Sequence, residues 1–226
     1  FRVWRQARVG NLARKIERAP DASTRQVFAR ALAALQTDGA LPLRVMPVTP
    51  FIVGATLDPQ KRLYIVSNQR NESMPPVNAE VIIYRTTTLQ DGEPAQPQPW
   101  FKTSYPWGTG NHHAVGHIAL GPDGYLYVNS GSRTDGNDPG DDPRIAKIGE
   151  TPLTACMWRF DPRAEKPEIE TYARGLRNAY GFCWNDQGEM FATENGPNAD
   201  APEELNLIER GKHYGFPYRF AEWTHK

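Results

Sequence analysis

Cysteine is scarce in this 226-residue sequence, which contains only Cys156 and Cys183. Neither belongs to a CxxC or CxxCH motif, which argues against a zinc knuckle, a thioredoxin-type pair and covalently attached haem within the chain. Two interpretations remain open. The cysteines are two buried free thiols, or they form one disulfide if the protein is exported.

Long hydrophobic runs and an excess of one charge are also absent. No stretch approaches the ~20 apolar residues of a membrane-spanning helix, and no apolar signal-peptide segment opens the chain. The 26 Lys and Arg residues balance 26 Asp and Glu residues without a basic run, which argues against nucleic acid and anionic lipid as partners. Because the first residue is Phe1, we expect a processed or excised piece of a longer protein.

The composition changes near residue 40. Residues 1–40 are rich in Ala, Arg, Leu and Gln, and Ser23 followed by Gln26 forms a capping-box pattern before an apolar periodic run. We therefore predict an N-terminal helical segment over 1–40. Residues 41–226 have short apolar runs, turn residues and frequent aromatics, which predict an all-β domain.

Three similar segments recur within the β domain at nearly equal spacing. They are LDPQKRLYIVSN at 57–68, LGPDGYLYVNSG at 120–131 and WNDQGEMFATEN at 184–195. Each combines a turn with a strand of alternating pattern, as expected for one blade of a β-propeller. Propellers close with ~4 to 8 blades, so about three blades predict part of a ring.

Three of the five histidines lie in the stretch GTGNHHAVGH at 108–117. A three-histidine zinc site would need His112, His113 and His117 to converge. Adjacent strand residues point to opposite faces, and four residues of ideal strand span about 13 Å. A single functional histidine at a junction between loop and strand is therefore the favoured interpretation.

Two further segments carry candidate binding groups. Arg177 and Asn178 stand directly before a predicted strand, where a guanidinium and an amide would suit a planar, oxygen-rich ligand; a turn with a surface arginine is the alternative. The turn at Gly196 and Pro197 has nearby acidic residues that include Glu204, and mixed carbonyl and carboxylate oxygens suit calcium. A solvated acidic loop is the alternative there.

The run from about Thr109 to Pro217 resembles the soluble PQQ-dependent sugar dehydrogenases, which include glucose, aldose and sorbosone dehydrogenases. The likeness is carried by HAVGHIALGPDGYLYV, GLRNAYGF and ENGPNADAPEELNLIERGKHYGFP, in the family's order and approximate spacing. It implies a six-bladed quinoprotein propeller, of which this chain holds about three blades. The segment 1–50 shows no such likeness.

The resemblance assigns roles to particular residues. His113, eight residues before Gly121 of GPDG, matches the family's catalytic base. Arg177 and Asn178 match the pair that contacts the quinone, and Arg177 would also polarise its carbonyl.

The resemblance also implies two calcium sites. Gly196 and Pro197 match the pair whose main-chain carbonyls hold the calcium next to PQQ. Glu204 and Tyr214 match a second, structural calcium site, with Tyr214 contributing its main-chain carbonyl.

The sequence departs from the family in three places. Ser132 stands where the family has an Asp that orients the base, and Asp135 is a candidate substitute. His117 stands where the family has Arg. Basic residues of later blades that hold the cofactor's carboxylates have no counterpart in this chain, so this polypeptide alone is expected to be inactive.

The resemblance implies a PQQ- and calcium-dependent oxidation of a sugar or related alcohol, with an external electron acceptor such as a cytochrome or quinone. It also implies a periplasmic or secreted location. A non-catalytic calcium-binding propeller that serves as a binding or scaffold module is the alternative, favoured by Ser132 and by the missing basic residues. A calcium hydrolase of the lactonase type would need more carboxylates around a central metal than this sequence provides.

Overall fold

The computed structural model places the chain in two compact units, Phe1–Val45 and Met46–Lys226. The residues that it describes are 17, 25, 29, 51–71, 78–86, 97–106, 113–135, 149–197 and 202–219. Glu17, Arg25 and Ala29 are helical. The rest of the predicted N-terminal helical segment lies outside the described residues, and its boundary at residue 40 stays a prediction.

The described part of the second unit consists of strands and connecting turns. The strands are β1 (Phe51–Leu57), β2 (Leu63–Asn71), β3 (Asn78–Arg85), β4 (Gln98–Pro106), β5 (Val115–Leu120), β6 (Leu126–Ser130), β7 (Cys156–Phe160), β8 (Glu170–Arg174), β9 (Ala179–Trp184), β10 (Met190–Glu194) and β11 (Glu204–Ile208). They form three antiparallel sheets, ordered β1-β2-β3-β4, β5-β6-β7-β8 and β9-β10-β11. Each sheet contains one of the three repeated segments.

Turn chemistry explains why the second and third sheets begin with tight hairpins. In the second sheet the amide of Gly124 donates to the carbonyl of Gly121, and Gly124 has a φ of 79°. Gly188 occupies the equivalent position in the third sheet, with a φ of 80°. Glycine adopts this left-handed conformation without the penalty that a Cβ imposes.

The sheets stack face to face through two apolar cores. The first core joins the facing sides of the first and second sheets and includes Tyr64, Val66, Ile118 and Trp158. The second joins the second and third sheets and includes Tyr127, Met157, Ala173, Phe182 and Met190. Antiparallel sheets that pack successively through such faces are the architecture of propeller blades, so the prediction of an all-β, propeller-type fold is confirmed.

A β-bulge changes the expected orientation of His117. In an ideal strand Val115 and His117, two residues apart, would share a face. The register of β5 against β6 shifts between Val115 and Ile118, and Val115 and Ile118 are both buried. The inserted residue interrupts simple alternation. His117 instead packs its ring against Phe182, with ring centroids 4.8 Å apart.

The two cysteines are not bridged. Cys156 is a buried free thiol, whereas Cys183 is free and exposed. The disulfide interpretation is therefore wrong for this structure, and so is the expectation that both thiols are buried. Burial raises the pKa of Cys156 to about 12. None of the helices in the described part of the chain is both long and apolar enough to cross a membrane.

Candidate functional site

The predicted ligand-binding residues meet at one end of the sheets. In each hairpin the first strand begins where the second strand ends, because the two strands are antiparallel. His113 precedes β5, and Arg177 and Asn178 precede β9. Ser132 follows β6. All four residues thus lie at the same edge of the second and third sheets.

Main-chain hydrogen bonds connect His113 to Arg177 through Ser132. The amide of His113 donates to the carbonyl of Ser132 over 2.9 Å, and the amide of Ser132 donates to the carbonyl of Arg177 over 2.6 Å. The amide of Arg177 then donates to the carboxylate of Glu194. The structure therefore joins the predicted base and the predicted quinone-binding residue, which belong to different repeats of the sequence.

The Arg177 side chain is held from two directions. Its Nε donates to Asp135 Oδ1 over 2.9 Å, and its Nη1 donates to the carbonyl of Asn195 over 3.0 Å. Arg177 is only 3% exposed. A buried guanidinium loses hydration that its partners must replace, and the Asp135 carboxylate supplies the opposite charge. Asp135, the candidate substitute for the family's orienting Asp, thus contacts Arg177.

Close packing positions the His113 backbone. A Cβ added to Gly131 would lie 2.3 Å from His113 Cβ, so only glycine allows the two segments to approach this closely. Tyr105 OH donates to the carbonyl of Gly131 over 2.7 Å. His113 is partly buried. The role of His113 as a base stays a prediction.

Ser132 is fully buried, and its Oγ makes no hydrogen bond to any residue that the structure describes. A buried hydroxyl without a partner costs free energy, so such groups often mark functional positions. This is the position at which the resemblance expects an aspartate.

Glu194 is a buried carboxylate of the site that the sequence did not single out. Its side chain accepts the Arg177 amide and, at 3.0 Å, Asn206 Nδ2. Burial and the nearby Glu204 carboxylate raise the pKa of Glu194 to about 7, and the hydrogen bonds from Arg177 and Asn206 only partly oppose them. One sign was available in the sequence, since Glu194 alternates with the core residues Met190 and Ala192.

Glu150 was also missed, and it holds the loop that carries Asp135. Its carboxylate accepts the amides of Arg133 and Thr134 at 2.9 Å and 2.7 Å, and Thr134 Oγ1 at 2.6 Å. No local pattern distinguishes Glu150 from a surface acid, because its partners come 16 and 17 residues earlier in the chain.

Two of the candidate calcium residues, Gly196 and Pro197, lie in the turn after β10, and a third, Glu204, is the first residue of β11. The carbonyl oxygens of Gly196 and Pro197 accept no hydrogen bond from the described part of the chain, and the amide of Gly196 donates to Glu203 over 3.0 Å. Glu204 pairs directly across the sheet with Glu194. Residues 198–201 of this loop lie outside the described residues. Within the described residues, no group of three His, Cys, Asp or Glu side chains has the arrangement of a metal site.

Tyr214, the other candidate calcium ligand, uses its hydroxyl within the protein. Tyr214 OH donates to the carbonyl of Leu207 over 2.5 Å and accepts the amide of Glu209 over 2.7 Å. A metal at this position would therefore use the main-chain carbonyl. The assignment of Tyr214 and Glu204 to a structural calcium site stays a prediction.

The donor and acceptor groups fit the cofactor that the resemblance implies. Arg177 Nε and Nη1 are engaged, whereas no hydrogen bond joins Arg177 Nη2 or the Asn178 side-chain amide to a described residue. A guanidinium and an amide are donors that suit the oxygens of an anionic, planar ligand. The carbonyls of Gly196 and Pro197 are oxygen donors of the kind that calcium prefers. The donors of Arg177 and Asn178 thus suit PQQ in their chemistry, and the carbonyls of Gly196 and Pro197 suit calcium.

A groove at the opposite end of the first two sheets is a poorer candidate. It has a volume of about 270 Å³ and lies between the hairpin turns that contain Asp58 and Asp123. Asp58 pairs with Arg62 at 2.6 Å, and Asp123 pairs with Arg159 at 2.7 Å. The carboxylates of Asp58 and Asp123 are therefore already paired with arginine side chains.

The fold defines a propeller-type protein whose strand ends bring His113, Ser132 and Arg177 to one edge. The family model described as glucose/sorbosone dehydrogenase matches residues 54–222, about three quarters of the chain. The chain belongs to this glucose/sorbosone dehydrogenase family.

Individual relatives match shorter parts. Quinoprotein glucose dehydrogenase B of Acinetobacter calcoaceticus is 30% identical over 73 residues, which are 32% of this chain and 15% of that protein. A protein from a Synechocystis species is 41% identical over 61 residues, 26% of this chain and 14% of that protein. The matched segments thus span about one seventh of these relatives.

Solved structures agree in fold. The PQQ-bound aldose sugar dehydrogenase of Streptomyces coelicolor has a TM-score of 0.55 and 24% identity, with 79% of this chain and 53% of that chain covered. A glucose dehydrogenase-like oxidoreductase of Thermus thermophilus has a TM-score of 0.53 and 22% identity, with coverage of 77% and 54%. This chain spans about half the length of both structures.

Proposed function

We propose that this protein acts in the PQQ- and calcium-dependent oxidation of a sugar or a related alcohol. The observation that carries the proposal is the hydrogen-bonded path from His113 through Ser132 to Arg177. It brings a possible proton acceptor and a possible quinone-binding cation to one edge of two blades. Family membership supports the same reaction class.

Arg177 and Asn178 bind and orient the cofactor in this proposal. The guanidinium keeps Nη2 for the ligand while Nε and Nη1 are held by Asp135 and Asn195. Bound PQQ would supply a two-electron acceptor for hydride. Arg177 would stabilise negative charge that develops on the quinone oxygen.

His113 serves as the general base in the proposed reaction. Its imidazole takes the proton from the substrate hydroxyl as the carbon-bound hydride leaves, so proton and hydride depart together from one alcohol group. The tight contact with Gly131 and the bond to Ser132 fix the main chain at His113. Fixed placement matters because small displacements of a base cost large factors in rate.

Gly196 and Pro197 hold the proposed calcium ion through their carbonyls. The hydrogen bond from the Gly196 amide to Glu203 steadies this turn. We further propose that a cytochrome or quinone accepts the electrons and that the protein acts in the periplasm or outside the cell. Both rest on the family relationship alone.

A non-catalytic calcium-binding propeller is the second candidate. Two observations favour it: Ser132 replaces the expected orienting aspartate, and Asp135 is engaged with Arg177. Such a module would still bind calcium and PQQ-like anions. It would not turn over a sugar.

The decisive experiment uses the purified full-length gene product with added PQQ and calcium. We expect saturable PQQ binding and dye reduction with at least one aldose. Removal of calcium with a chelator should abolish reduction, and added calcium should restore it. PQQ binding without reduction across an aldose and alcohol panel would support the second candidate, and a failure to bind PQQ would overturn the PQQ assignment and the proposed oxidation.

His113→Gln tests the base separately. We expect the rate to fall by about 10²- to 10⁴-fold, while the PQQ dissociation constant changes little. An unchanged rate would remove His113 from the catalytic role.

A further inference from the structure

Glu194 occupies a core position at the end of β10. Met190, Ala192 and Glu194 alternate along the strand and are 2%, 1% and 5% exposed. The first two pack in the core between the second and third sheets. Replacing an apolar residue by a carboxylate at such a position is costly unless the carboxylate satisfies specific partners.

The partners of Glu194 lie on both sides of it. One oxygen accepts the main-chain amide of Arg177, and the other accepts Asn206 Nδ2 at 3.0 Å. Asn206 also donates to Glu204 over 2.9 Å. The bond to Arg177 is the one that reaches the candidate site.

The Arg177 amide needs this acceptor because Arg177 lies before the first residue of β9, Ala179, and so outside the β9–β10 ladder. The register shifts between Thr193 and Glu194, with Glu194 paired to Ala179 and Thr193 paired to Gly181. Arg177 lies just before this irregular end, and buried amides without partners are rare in proteins. The side chain of Glu194 thus replaces the strand carbonyl that would otherwise accept the amide.

Neighbouring bonds fix the same short segment. The carbonyl of Arg177 accepts the Ser132 amide at 2.6 Å, and the carbonyl of Asn178 accepts the Asn195 amide at 3.1 Å. Glu194 supplies the only acceptor for the Arg177 amide among the described residues. Loss of this acceptor would let the segment rotate about the other two bonds.

We propose that Glu194 is a positioning residue, which holds the main chain at Arg177 so that the Arg177 guanidinium and the Asn178 amide face the ligand. The inference rests on the proposed cofactor binding at these two residues. Glu194 itself does not touch the ligand. It acts through the Arg177 main chain.

The first test needs no cofactor. Amide hydrogen exchange at Arg177 is measured in the wild type, Glu194→Gln and Glu194→Ala. We expect at least a 10-fold loss of protection in Glu194→Ala and substantial retention in Glu194→Gln, because the glutamine carbonyl can still accept the amide. Unchanged protection in Glu194→Ala would overturn the proposal.

The second test measures the PQQ dissociation constant in the presence of calcium. We expect Glu194→Ala to weaken binding by about 10- to 100-fold, as for loss of a hydrogen bond to a charged group. Glu194→Gln should weaken it less. Glu189→Gln is the matched control, since Glu189 lies at the other end of the same hairpin and is exposed.

The outcomes separate the two proposals. If the wild type does not bind PQQ, the proposed function fails, while the exchange result still decides the role of Glu194. If the wild type binds PQQ and both Glu194 variants have the wild-type PQQ dissociation constant, the positioning role is wrong. If Glu194→Ala does not fold, Glu194→Leu takes its place, because leucine fills the core position but offers no acceptor to the Arg177 amide. Amide protection and PQQ affinity equal to those of Glu189→Gln would then overturn the inference.

Discussion

Single carboxylate side chains determine how the candidate site is held together. Glu194 and Glu150 both use carboxylates to accept main-chain amides at the ends of strands. Strand ends leave amides beyond the ladder, and these need an acceptor when they are buried. Glu194 and Glu150 therefore form part of the framework around Arg177 and Asp135.

Gly131 provides a direct test of the packing at His113. Gly131→Ala would place a Cβ 2.3 Å from His113 Cβ, so the two segments must separate. We expect the free energy of unfolding to fall by about 1–3 kcal/mol, as measured by urea denaturation.

Gly181→Ala is the matched control for Gly131→Ala. Its new Cβ would have Thr193 Oγ1 as its nearest contact, at an ordinary 3.6 Å. We expect a change within about 1 kcal/mol. Equal losses in the two variants would show that close approach to His113 is not the cause.

At the scale of elements, the ends of strands from different sheets are joined by specific side chains. Tyr105, in the outermost strand of the first sheet, donates to the carbonyl of Gly131 after β6 over 2.7 Å. Its hydroxyl lies 3.1 Å from Ser130 Oγ. Asn68, in β2 of the same sheet, donates to the carbonyl of Val115 over 2.6 Å. These contacts connect the first sheet to the edge that carries His113.

Tyr105→Phe should weaken this connection. The substitution leaves the buried Gly131 carbonyl without the tyrosine donor, and we expect a loss of about 1–3 kcal/mol in the free energy of unfolding. Tyr180→Phe is the control, because Tyr180 is 72% exposed, and its change should stay within about 0.5 kcal/mol. Chemical denaturation followed by intrinsic fluorescence measures both, and indistinguishable midpoints would contradict the role of Tyr105.

At the scale of the whole molecule, equivalent positions of successive sheets have different surroundings. Met157 pairs with Asn129 in the second sheet, and Leu205 pairs with Thr193 at the equivalent place in the third. Met157 is 0% exposed because the third sheet covers it, whereas Leu205 is 71% exposed. The repeat therefore supplies an internal comparison of a covered and an uncovered blade face.

Met157→Gln and Leu205→Gln make that comparison measurable in the 226-residue chain. We expect Met157→Gln to lower the free energy of unfolding by about 2–5 kcal/mol, since it buries an amide in an apolar core. Leu205→Gln should change it by no more than about 0.5 kcal/mol. Comparable losses in denaturant titrations would mean that the Leu205 face is covered in solution.

The sequence by itself determined the fold class and placed the candidate site residues at predicted strand ends. Alternating apolar residues and turn residues, repeated at nearly equal spacing, specify antiparallel hairpins. Because a hairpin returns the chain to its starting edge, the residues before β5 and β9 had to lie beside those after β6 and β10. The sequence singled out His113 at a junction between loop and strand and Arg177 and Asn178 directly before a strand, and the family resemblance pointed to the same residues; their roles stay predictions.

Only the tertiary structure decided which groups hold those residues in place. The pairing of Arg177 with Asp135 spans 42 residues, and the bond from Arg177 to Glu194 spans 17. The bulge in β5 turned His117 onto Phe182, and the packing of the sheets buried Cys156 while leaving Cys183 exposed. Such contacts depend on how separate sheets pack against each other. Local periodicity reports only which face of a strand is apolar, not which distant group meets it.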